Sequence, residues 1–317
     1  MMKFIIIKTK KNKYLFFLIK LLLLFAVVFI FDAAIGAVLK HYYFKQESGL
    51  QYRTTYSIEK TKADLLVFGA SRANHHYHPK VFEKGLKMSY YNVGRDGSSI
   101  MYHKGVLNAV LKRYTPKIII LDFVIEEFMK IDGNYDRLSS LLPYYQTHPE
   151  MRLIIELKSK YEKYKLISSI YPYNSSLFTI AMGNTESNKK RKGDINGYVP
   201  LTKVWNDSII VDNRTGNYEL DSTKIKVYES FIQDCIHSQV KLYIVFSPHY
   251  IKFRHADSSI LIAKEIAQKY HVAFIDFSKD AFFLKSHQLF QDIDHLNDDG
   301  AKIFSNLMID KMIQSRN

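Results

Sequence analysis

The sequence predicts an α/β fold, a doubly wound parallel sheet of five strands, preceded by one transmembrane helix. Short apolar segments recur along the chain, and stretches with helical spacing of apolar residues separate them, which predicts alternating strands and helices. The third segment is almost continuously apolar, as is typical of a parallel sheet that helices cover on both faces. The transmembrane helix is predicted by nineteen residues with a single charge at 21–39. The five strand segments are 64–68, 88–93, 117–123, 242–246 and 272–276.

The amino-terminal region has the charge pattern of a membrane anchor. Residues 1–13 form a basic tail, and residues 14–40 are predicted to be the anchor helix. Half of the formal net charge of +14 lies in residues 1–45, which contain eight lysines and one aspartate. Lysines beside a membrane helix favour its cytoplasmic end. We therefore expect a cytoplasmic amino-terminal tail and an extracytoplasmic domain, as in a single-pass protein of a bacterial inner membrane that faces the periplasm.

A cleaved signal peptide is the alternative interpretation of this region. The uninterrupted apolar run at 21–31 is only as long as a signal-peptide core. However, residues 33–37 make a poor cleavage site and apolar residues continue beyond them, so the sequence favours an uncleaved anchor. Asp32, near the far end of the helix, is expected to reach the membrane interface rather than to pair with a partner. The single cysteine, Cys235, is compatible with an oxidising compartment.

Beyond the anchor, residues 41–62 are interpreted as a connector and residues 63–317 as the α/β domain. Asp221 is the expected N-cap of the helix that resumes the alternation after a long interruption. This interruption, at about 124–220, is predicted to be a large insertion of mixed structure that could determine the choice of partner or substrate. Its basic run at 189–192 is either a solvated loop, the commoner case, or a contact for phosphate or acidic polysaccharide.

Composition excludes several classes of protein. One cysteine excludes an intramolecular disulfide framework and multi-cysteine zinc sites. The low content of glycine (13) and proline (7) excludes collagen-like chains and argues against disorder. The many tyrosines and phenylalanines follow core periodicity rather than a basic groove, and we find no nucleic-acid motif. Nucleic acid is therefore not an expected partner.

Three residues at the ends of predicted elements could together activate a hydroxyl group. Ser71 follows the first strand in the turn Gly69-Ala70-Ser71, whose small residues leave its hydroxyl exposed at the sheet edge. Asp292 and His295 are three residues apart, so one turn can bring the carboxylate to imidazole Nδ1 while Nε2 points to a serine. Asp294 is the competing carboxylate, although adjacent side chains seldom face each other. Each motif alone is also explained by helix capping.

Other histidines could also lie near this sheet edge. Three of them, at positions 75, 76 and 78, could suggest a metal patch, but the adjacent pair would point apart on a helix, and no suitably spaced carboxylate or thiolate is present. We therefore expect no metal and no cofactor, and interpret these histidines as pocket lining or surface. His249, after the fourth strand, is a candidate substrate contact or an ordinary loop histidine.

The serine turn after the first strand precedes the Asp-x-x-His pair near the carboxyl terminus of the predicted α/β fold. In this order the two motifs resemble the SGNH (GDSL-type) hydrolase superfamily, which has a flavodoxin-like sheet. Gly69-Ala70-Ser71 matches the family's Gly-Asp-Ser, with alanine replacing aspartate, and Asp292 to His295 matches its Asp-x-x-His. Residues 92–97 look like the second block, with Gly97 at the position of the oxyanion glycine. The resemblance covers about 62–125 and 221–315. It implies catalytic Ser71, His295 and Asp292, and an oxyanion hole formed by Ser71 and Gly97.

The third block departs from the family pattern. After the third strand the family has Gly-x-Asn-Asp, whereas this chain has Val-Ile-Glu-Glu at 124–127. The oxyanion donor supplied by that asparagine is therefore missing, and a carboxylate in its place would repel an oxyanion. Asn74, Arg72 and Arg95 are candidates to replace it or to contact substrate. Membrane-anchored relatives that modify teichoic acid or alginate also vary this block.

The resemblance implies an extracytoplasmic serine esterase or O-acyltransferase that acts on short acyl esters of cell-envelope polysaccharide. A lipid-linked glycan is an alternative substrate, and a polytopic acyltransferase is a candidate partner. The competing interpretation is a non-catalytic SGNH-fold component that binds or scaffolds an envelope glycan assembly complex. A phosphate-handling enzyme ranks last, because the sequence has no glycine-rich phosphate loop.

Overall fold

The computed structural model describes residues 2–131, 134–185 and 193–314, with residues 2–12 described as backbone only. The basic run at 189–192 lies outside the described residues. The strands are β1 (Leu65–Gly69), β2 (Tyr90–Asn92), β3 (Ile118–Asp122), β4 (Ile210–Asp212), β5 (Lys241–Phe246), β6 (Ile251–Phe253) and β7 (Ala273–Asp276). The helices are α1 (Met2–Phe44), α2 (Gly49–Glu59), α3 (Ser71–His76), α4 (Pro79–Leu86), α5 (Ile100–Arg113), α6 (Arg152–Glu156), α7 (Glu162–Lys165), α8 (Leu177–Gly183), α9 (Ser222–His237), α10 (Ser258–Lys269) and α11 (Asp298–Gln314).

Five of the strands form one parallel sheet in the order β2-β1-β3-β5-β7. The predicted α/β fold with a five-stranded, doubly wound parallel sheet is thereby confirmed. The registers place Gly69 at the end of β1 opposite Asp122 at the end of β3, and Asp122 opposite Val245 of β5. The carboxyl ends of these strands therefore share one edge, where open α/β sheets bind ligands.

The strands β1 and β3 are buried on both faces of the sheet, which explains their almost continuous apolar sequence. In β1, Leu66 and Phe68 belong to a core cluster that also includes side chains of α5 and α9. Leu65 and Val67 belong to a second cluster with side chains of α4 and α11. Alternate residues of a strand face opposite sides of a sheet, so helices on both sides require apolar residues at every position.

The described part of the chain contains one helix that could be the predicted membrane anchor. The segment Lys13–Phe44 of α1 is long and apolar enough to cross a bilayer. Its side chains are exposed from residue 22 to residue 31, whereas Asp32 is partly buried and contacts the insertion. The Asp32 carboxylate accepts hydrogen bonds from the Ser168 hydroxyl (2.5 Å) and the Ser169 amide (2.6 Å). Asp32 is thus paired, where the sequence led us to expect only proximity to the interface.

The segment 41–62, interpreted as a connector, is built into the domain. Its first residues continue α1, and α2 packs against α5. Arg53 of α2 donates hydrogen bonds to Asn74 Oδ1 (2.5 Å) and to the carbonyl oxygen of Gly197 (2.9 Å). Arg113 donates to the carbonyl oxygens of Ile58 and residues beside it. These partners are distant in sequence, so local patterns gave no sign of them.

In its described residues, the region predicted as an insertion, 124–220, contains short helices, three 3₁₀ segments (Asn134–Tyr144, Pro149–Met151 and Tyr171–Ser176) and one short strand. The strand β4 pairs in parallel with β6, which follows β5, so the insertion is tied to the main domain by a two-stranded sheet. Neither strand was predicted. Each spans three residues and β4 is largely exposed, so neither has the apolar pattern of a buried strand.

Candidate active site

The turn that presents Ser71 requires glycine at its first position. Gly69 ends β1 with φ of +138°, a conformation that side-chain-bearing residues rarely adopt. A Cβ atom on this residue would lie 2.7 Å from the carbonyl oxygen of Asp122 in the neighbouring strand. The close approach lets the chain turn from β1 into α3, and Ser71 is the first residue of that helix. Its side chain is part-exposed at the carboxyl edge of the sheet.

The structure brings Ser71, His295 and Asp292 into one hydrogen-bonded chain. His295 Nε2 lies 2.7 Å from Ser71 Oγ, and His295 Nδ1 lies 2.9 and 3.0 Å from the two carboxylate oxygens of Asp292. A carboxylate can only accept, so Nδ1 carries the proton and neutral Nε2 accepts from the serine hydroxyl. This is the tautomer that a general base for serine needs. The competing carboxylate, Asp294, lies 3.3 Å from Nδ1 of His249 instead.

Asp292 is held by its own loop as well as by the imidazole. Its Oδ1 atom accepts hydrogen bonds from the backbone amides of Asp294 and His295, each at 2.9 Å. Partial burial alone would raise the pKa of this carboxyl, but the hydrogen bonds from His295 and Asp294 outweigh it and lower the pKa below its ordinary value. The carboxylate is therefore ionised and fixed at neutral pH.

The loop after β2 lies against the serine turn. The Arg95 amide donates to the carbonyl oxygen of Gly69 (3.0 Å), and Asn74 of α3 donates from Nδ2 to Asp96 Oδ1 (2.7 Å). Gly97 follows with φ of +66°, in the left-handed region that favours glycine. The contacts place the loop that contains Gly97 beside the turn of Ser71, as the resemblance implies for the second block.

Arg137, which the sequence did not single out, lies against Gly97. Three atoms of its guanidinium group are 3.6 Å from the position that a Cβ on Gly97 would occupy. Its side chain is exposed, and within the described ranges it forms no hydrogen bond or ion pair. The residue comes from the insertion, forty residues from Gly97 in sequence. Only the tertiary structure could reveal the contact.

The three residues proposed as replacement donors are engaged with the protein itself. Arg72 is 3% exposed and donates from Nη2 to the carbonyl oxygen of Phe123 (2.6 Å). Asn74 is buried between Arg53 and Asp96, which occupy both ends of its amide. Arg95 donates to the carbonyl oxygen and the hydroxyl of two residues of α2, at positions 50 and 54. Each side chain supports the site's framework, and none extends freely into solvent.

The two glutamates of the third block also make contacts of their own. Glu127 accepts a hydrogen bond from the Ile100 amide (2.7 Å) at the start of α5, and Glu126 pairs with Arg214 (2.5 Å). Burial raises the pKa of the Glu127 carboxyl to about 7, against the opposing effect of the Ile100 amide. Both side chains therefore have structural partners, Glu126 within the insertion and Glu127 at the start of α5.

The histidines near Ser71 have structural partners. Nδ1 of His76 donates to Ser247 Oγ (3.0 Å), while its Nε2 accepts from the Leu296 amide (3.0 Å) and so fixes the loop that follows His295. His75 donates from Nδ1 to the Val199 carbonyl oxygen (2.6 Å), and its ring packs edge-on against His295. His249 is buried, and desolvation lowers its pKa to about 3. No group of three potential metal ligands is found among the described residues.

A scan against models of known protein families and a search of curated proteins gave no match. Among solved structures, the chain resembles a predicted acylhydrolase from Bacteroides fragilis NCTC 9343, with a TM-score of 0.39 and 12% identity, covering 84% of this chain and 99% of that chain. It also resembles an acetyl xylan esterase, with a TM-score of 0.37 and 14% identity, covering 79% of this chain and 98% of that chain. Neither likeness bears on the family of this chain or on what it binds or converts.

Proposed function

We propose that this chain is a membrane-anchored serine esterase or O-acyltransferase of the SGNH type. The observation that supports it best is the 2.7 Å contact between Ser71 Oγ and a His295 that Asp292 holds in the base-competent tautomer. A bare serine hydroxyl is a weak nucleophile at neutral pH, and an adjacent general base is what activates it.

In the proposed mechanism Ser71 Oγ attacks the ester carbonyl carbon while His295 Nε2 takes its proton. The carbonyl oxygen becomes an oxyanion that accepts hydrogen bonds from the backbone amides of Ser71 and Gly97. When the ester C–O bond breaks, the departing alcohol oxygen takes the proton from His295, and the acyl group stays on Ser71. Water or an acceptor hydroxyl then attacks the acyl-enzyme, giving its proton to His295, which returns it to Ser71.

Arg137 completes the proposed oxyanion site. The family's third-block asparagine is missing, and Arg137 is a cation beside Gly97 whose side chain has no hydrogen-bond or ion-pair partner among the residues that the structure describes. Its charge would stabilise negative charge that develops near the Gly97 amide, or bind an anionic group of the substrate next to the reacting ester. The insertion would thereby supply a function that the third block has lost.

The anchor determines which esters the site can meet. With the lysine-rich end of α1 in the cytoplasm, the α/β domain lies outside it, beside the bilayer of an inner membrane. Short acyl esters of cell-envelope polysaccharide, or of lipid-linked glycans, are the substrates that fit this position. A polytopic acyltransferase that exports acyl groups is the partner we propose for the transfer reaction.

Labelling of the full chain with a fluorophosphonate probe tests the proposal without the natural substrate. Wild-type protein in detergent should be labelled, and Ser71→Ala and His295→Ala should both lose labelling while keeping the wild-type melting temperature. Ser176→Ala is a matched control, because Ser176 is a buried serine of the insertion. Labelling that persists in Ser71→Ala would refute the assignment of the nucleophile.

The second candidate function is a non-catalytic binding or scaffold component of an envelope glycan assembly complex. The observation that favours it is the pair of glutamates in place of the oxyanion asparagine. A folded wild-type chain that no fluorophosphonate labels, with or without membranes, would make this the preferred function.

A further inference from the structure

The insertion reaches the anchor helix within the anchor's predicted membrane span. Asp32 accepts hydrogen bonds from Ser168 and Ser169, and Gly36 packs directly on Ser169, where a Cβ would clash. Asp32 lies eight residues before the end of the predicted anchor at residue 40, about 12 Å along a helix axis. With α1 in the bilayer as proposed, the part of the insertion that contacts Asp32 therefore lies at the membrane surface or deeper in the bilayer.

The residues that precede this contact form an exposed aromatic and basic surface, which we call the interfacial patch. Tyr161, Tyr164 and Ile167 recur at intervals of three, just before, within and just after α7, and are 56%, 59% and 70% exposed. Lys160 and Lys163 place their ammonium groups over the two tyrosine rings, at 4.9 and 5.0 Å from the ring centroids. Neither lysine forms an ion pair within the described ranges.

We propose that the interfacial patch is a second membrane contact, which docks on a bilayer surface that carries anionic headgroups. The inference rests on the proposed membrane anchoring through α1. Ile167 is adjacent to Ser168, so its Cα lies about 4 Å from that of the residue bound to Asp32. The patch is thus continuous with the site where α1 meets the insertion, and no bilayer that holds α1 could be far from it.

The chemistry of the patch matches the interfacial region of a membrane. Tyrosines are enriched at that depth, because the ring prefers the apolar side and the hydroxyl prefers water. Lysines near a membrane surface gain free energy from anionic lipids, and unpaired lysines keep the charge available. A protein partner would equally bury the apolar side chains, but it would not need to lie at the level of the anchor.

Tryptophan quenching in vesicles tests the contact with the full chain. The chain has a single tryptophan, so Trp205→Phe gives a background without indole emission. Single tryptophans are then introduced as Tyr164→Trp and Ile167→Trp in the patch, and as Leu261→Trp, an exposed position of α10, as the control. A fourth variant, Phe25→Trp, reports on the anchor itself. Each is reconstituted in phosphatidylglycerol vesicles with lipids brominated either near the headgroup or near the chain end.

We expect a loss of emission for the two patch variants with bromine near the headgroup, and no loss for Leu261→Trp. If the patch tryptophans are quenched no more than Leu261→Trp while Phe25→Trp is quenched, the patch inference is overturned and the proposed anchor stands. Absence of quenching for Phe25→Trp would refute the anchor and the patch together. Zwitterionic vesicles should reduce the quenching of the patch variants, and equal quenching in both lipids would refute the role of Lys160 and Lys163.

Discussion

Arg72 Nη2 lies 3.4 Å from Asp122 Oδ1, and both side chains are buried at the carboxyl edge of the sheet. The Tyr77 hydroxyl donates to the other carboxylate oxygen (2.6 Å), and the Arg72 guanidinium packs over the Phe246 ring. Burial raises the pKa of the Asp122 carboxyl, and the charge of Arg72 opposes that rise. The residue that follows Ser71 thus links the serine turn to the end of β3.

Removal of the buried Arg72 cation should lower the free energy of unfolding far more than removal of an exposed arginine. Arg72→Leu leaves the Asp122 carboxyl buried without its cation, and we expect a loss of about 3–5 kcal/mol in the free energy of unfolding. Arg214→Leu removes a 59% exposed side chain that pairs with Glu126 and Asp212, and should cost at most about 1 kcal/mol. Urea unfolding of the two variants measures the difference, and equal losses would contradict the structural role of Arg72.

Asp292 and Asp294 should differ sharply in their effect on the reactivity of Ser71. Asp292→Asn removes the acceptor that fixes the His295 tautomer, so the rate of fluorophosphonate labelling should fall by about 10²–10⁴-fold. Asp294→Asn disturbs only the contact with His249 and should label at close to the wild-type rate. The measurement is the labelling rate at neutral pH, and a larger loss in Asp294→Asn would reverse the assignment.

Arg137 should act through its charge. Arg137→Met is expected to slow labelling of Ser71 by up to about 10²-fold, as loss of an oxyanion donor does. Arg137→Lys keeps a cation beside Gly97 and should recover part of that rate. Melting temperatures should not change in either variant, since the side chain is exposed. Equal labelling rates for the wild type and the methionine variant would remove Arg137 from the site.

Gly69 should not tolerate a side chain. Gly69→Ala combines an unfavourable φ of +138° with a 2.7 Å approach to the Asp122 carbonyl oxygen, so we expect a loss of at least about 1–3 kcal/mol and displacement of Ser71. Gly193→Ala is the control, because nothing lies within 4 Å of its added Cβ. Unfolding and labelling of both variants give the comparison, and a fully reactive Gly69→Ala would show that the turn can relax.

A buried histidine should make the protein sensitive to mild acid. Desolvation lowers the pKa of His103 to about 3, and neither ring nitrogen has a hydrogen-bond partner in the part of the chain that the structure describes. The unfolded chain takes up a proton near pH 6.5 while the folded chain does not, so stability falls as pH decreases from about 6.5 toward 3.

His103→Leu tests this sensitivity, because it removes the titrating group and keeps an apolar side chain in the core. The melting temperature of the variant should fall less than that of the wild type between pH 7 and pH 5. An identical decrease in both proteins would show that other groups, such as His249, dominate the acid response.

The sequence predicted the five strands of the main sheet because each is a short, mostly apolar segment between polar turns. It also predicted the pairing of Asp292 with His295, since a spacing of three places both side chains in one turn. Both features depend on local order along the chain. The strands β4 and β6 were not predicted, because three residues are too few to show the alternation of apolar and polar side chains that marks a strand.

What the sequence did not predict depends on contacts between distant segments. The pairing of Asp32 with Ser168 spans 136 residues, and Arg137 reaches Gly97 from the insertion. The sequence made Asn74 and Arg95 candidates to replace the missing oxyanion donor or to contact substrate, because they are polar residues near the predicted nucleophile. In the structure they hold α2 and the loop after β2 in place, a role that only their partners reveal.

Ser71 and His295 are 224 residues apart in sequence, the first after β1 and the second after β7. A ribosome that has made the chain as far as β5 has already produced the serine turn, but not its base. The proposed nucleophile would therefore lack its base during synthesis, and its reactivity would arise only when the loop around His295 docks, with the Leu296 amide donating to His76. In the proposed mechanism, the order of synthesis thus delays the chemistry until the last segment of the domain has been made.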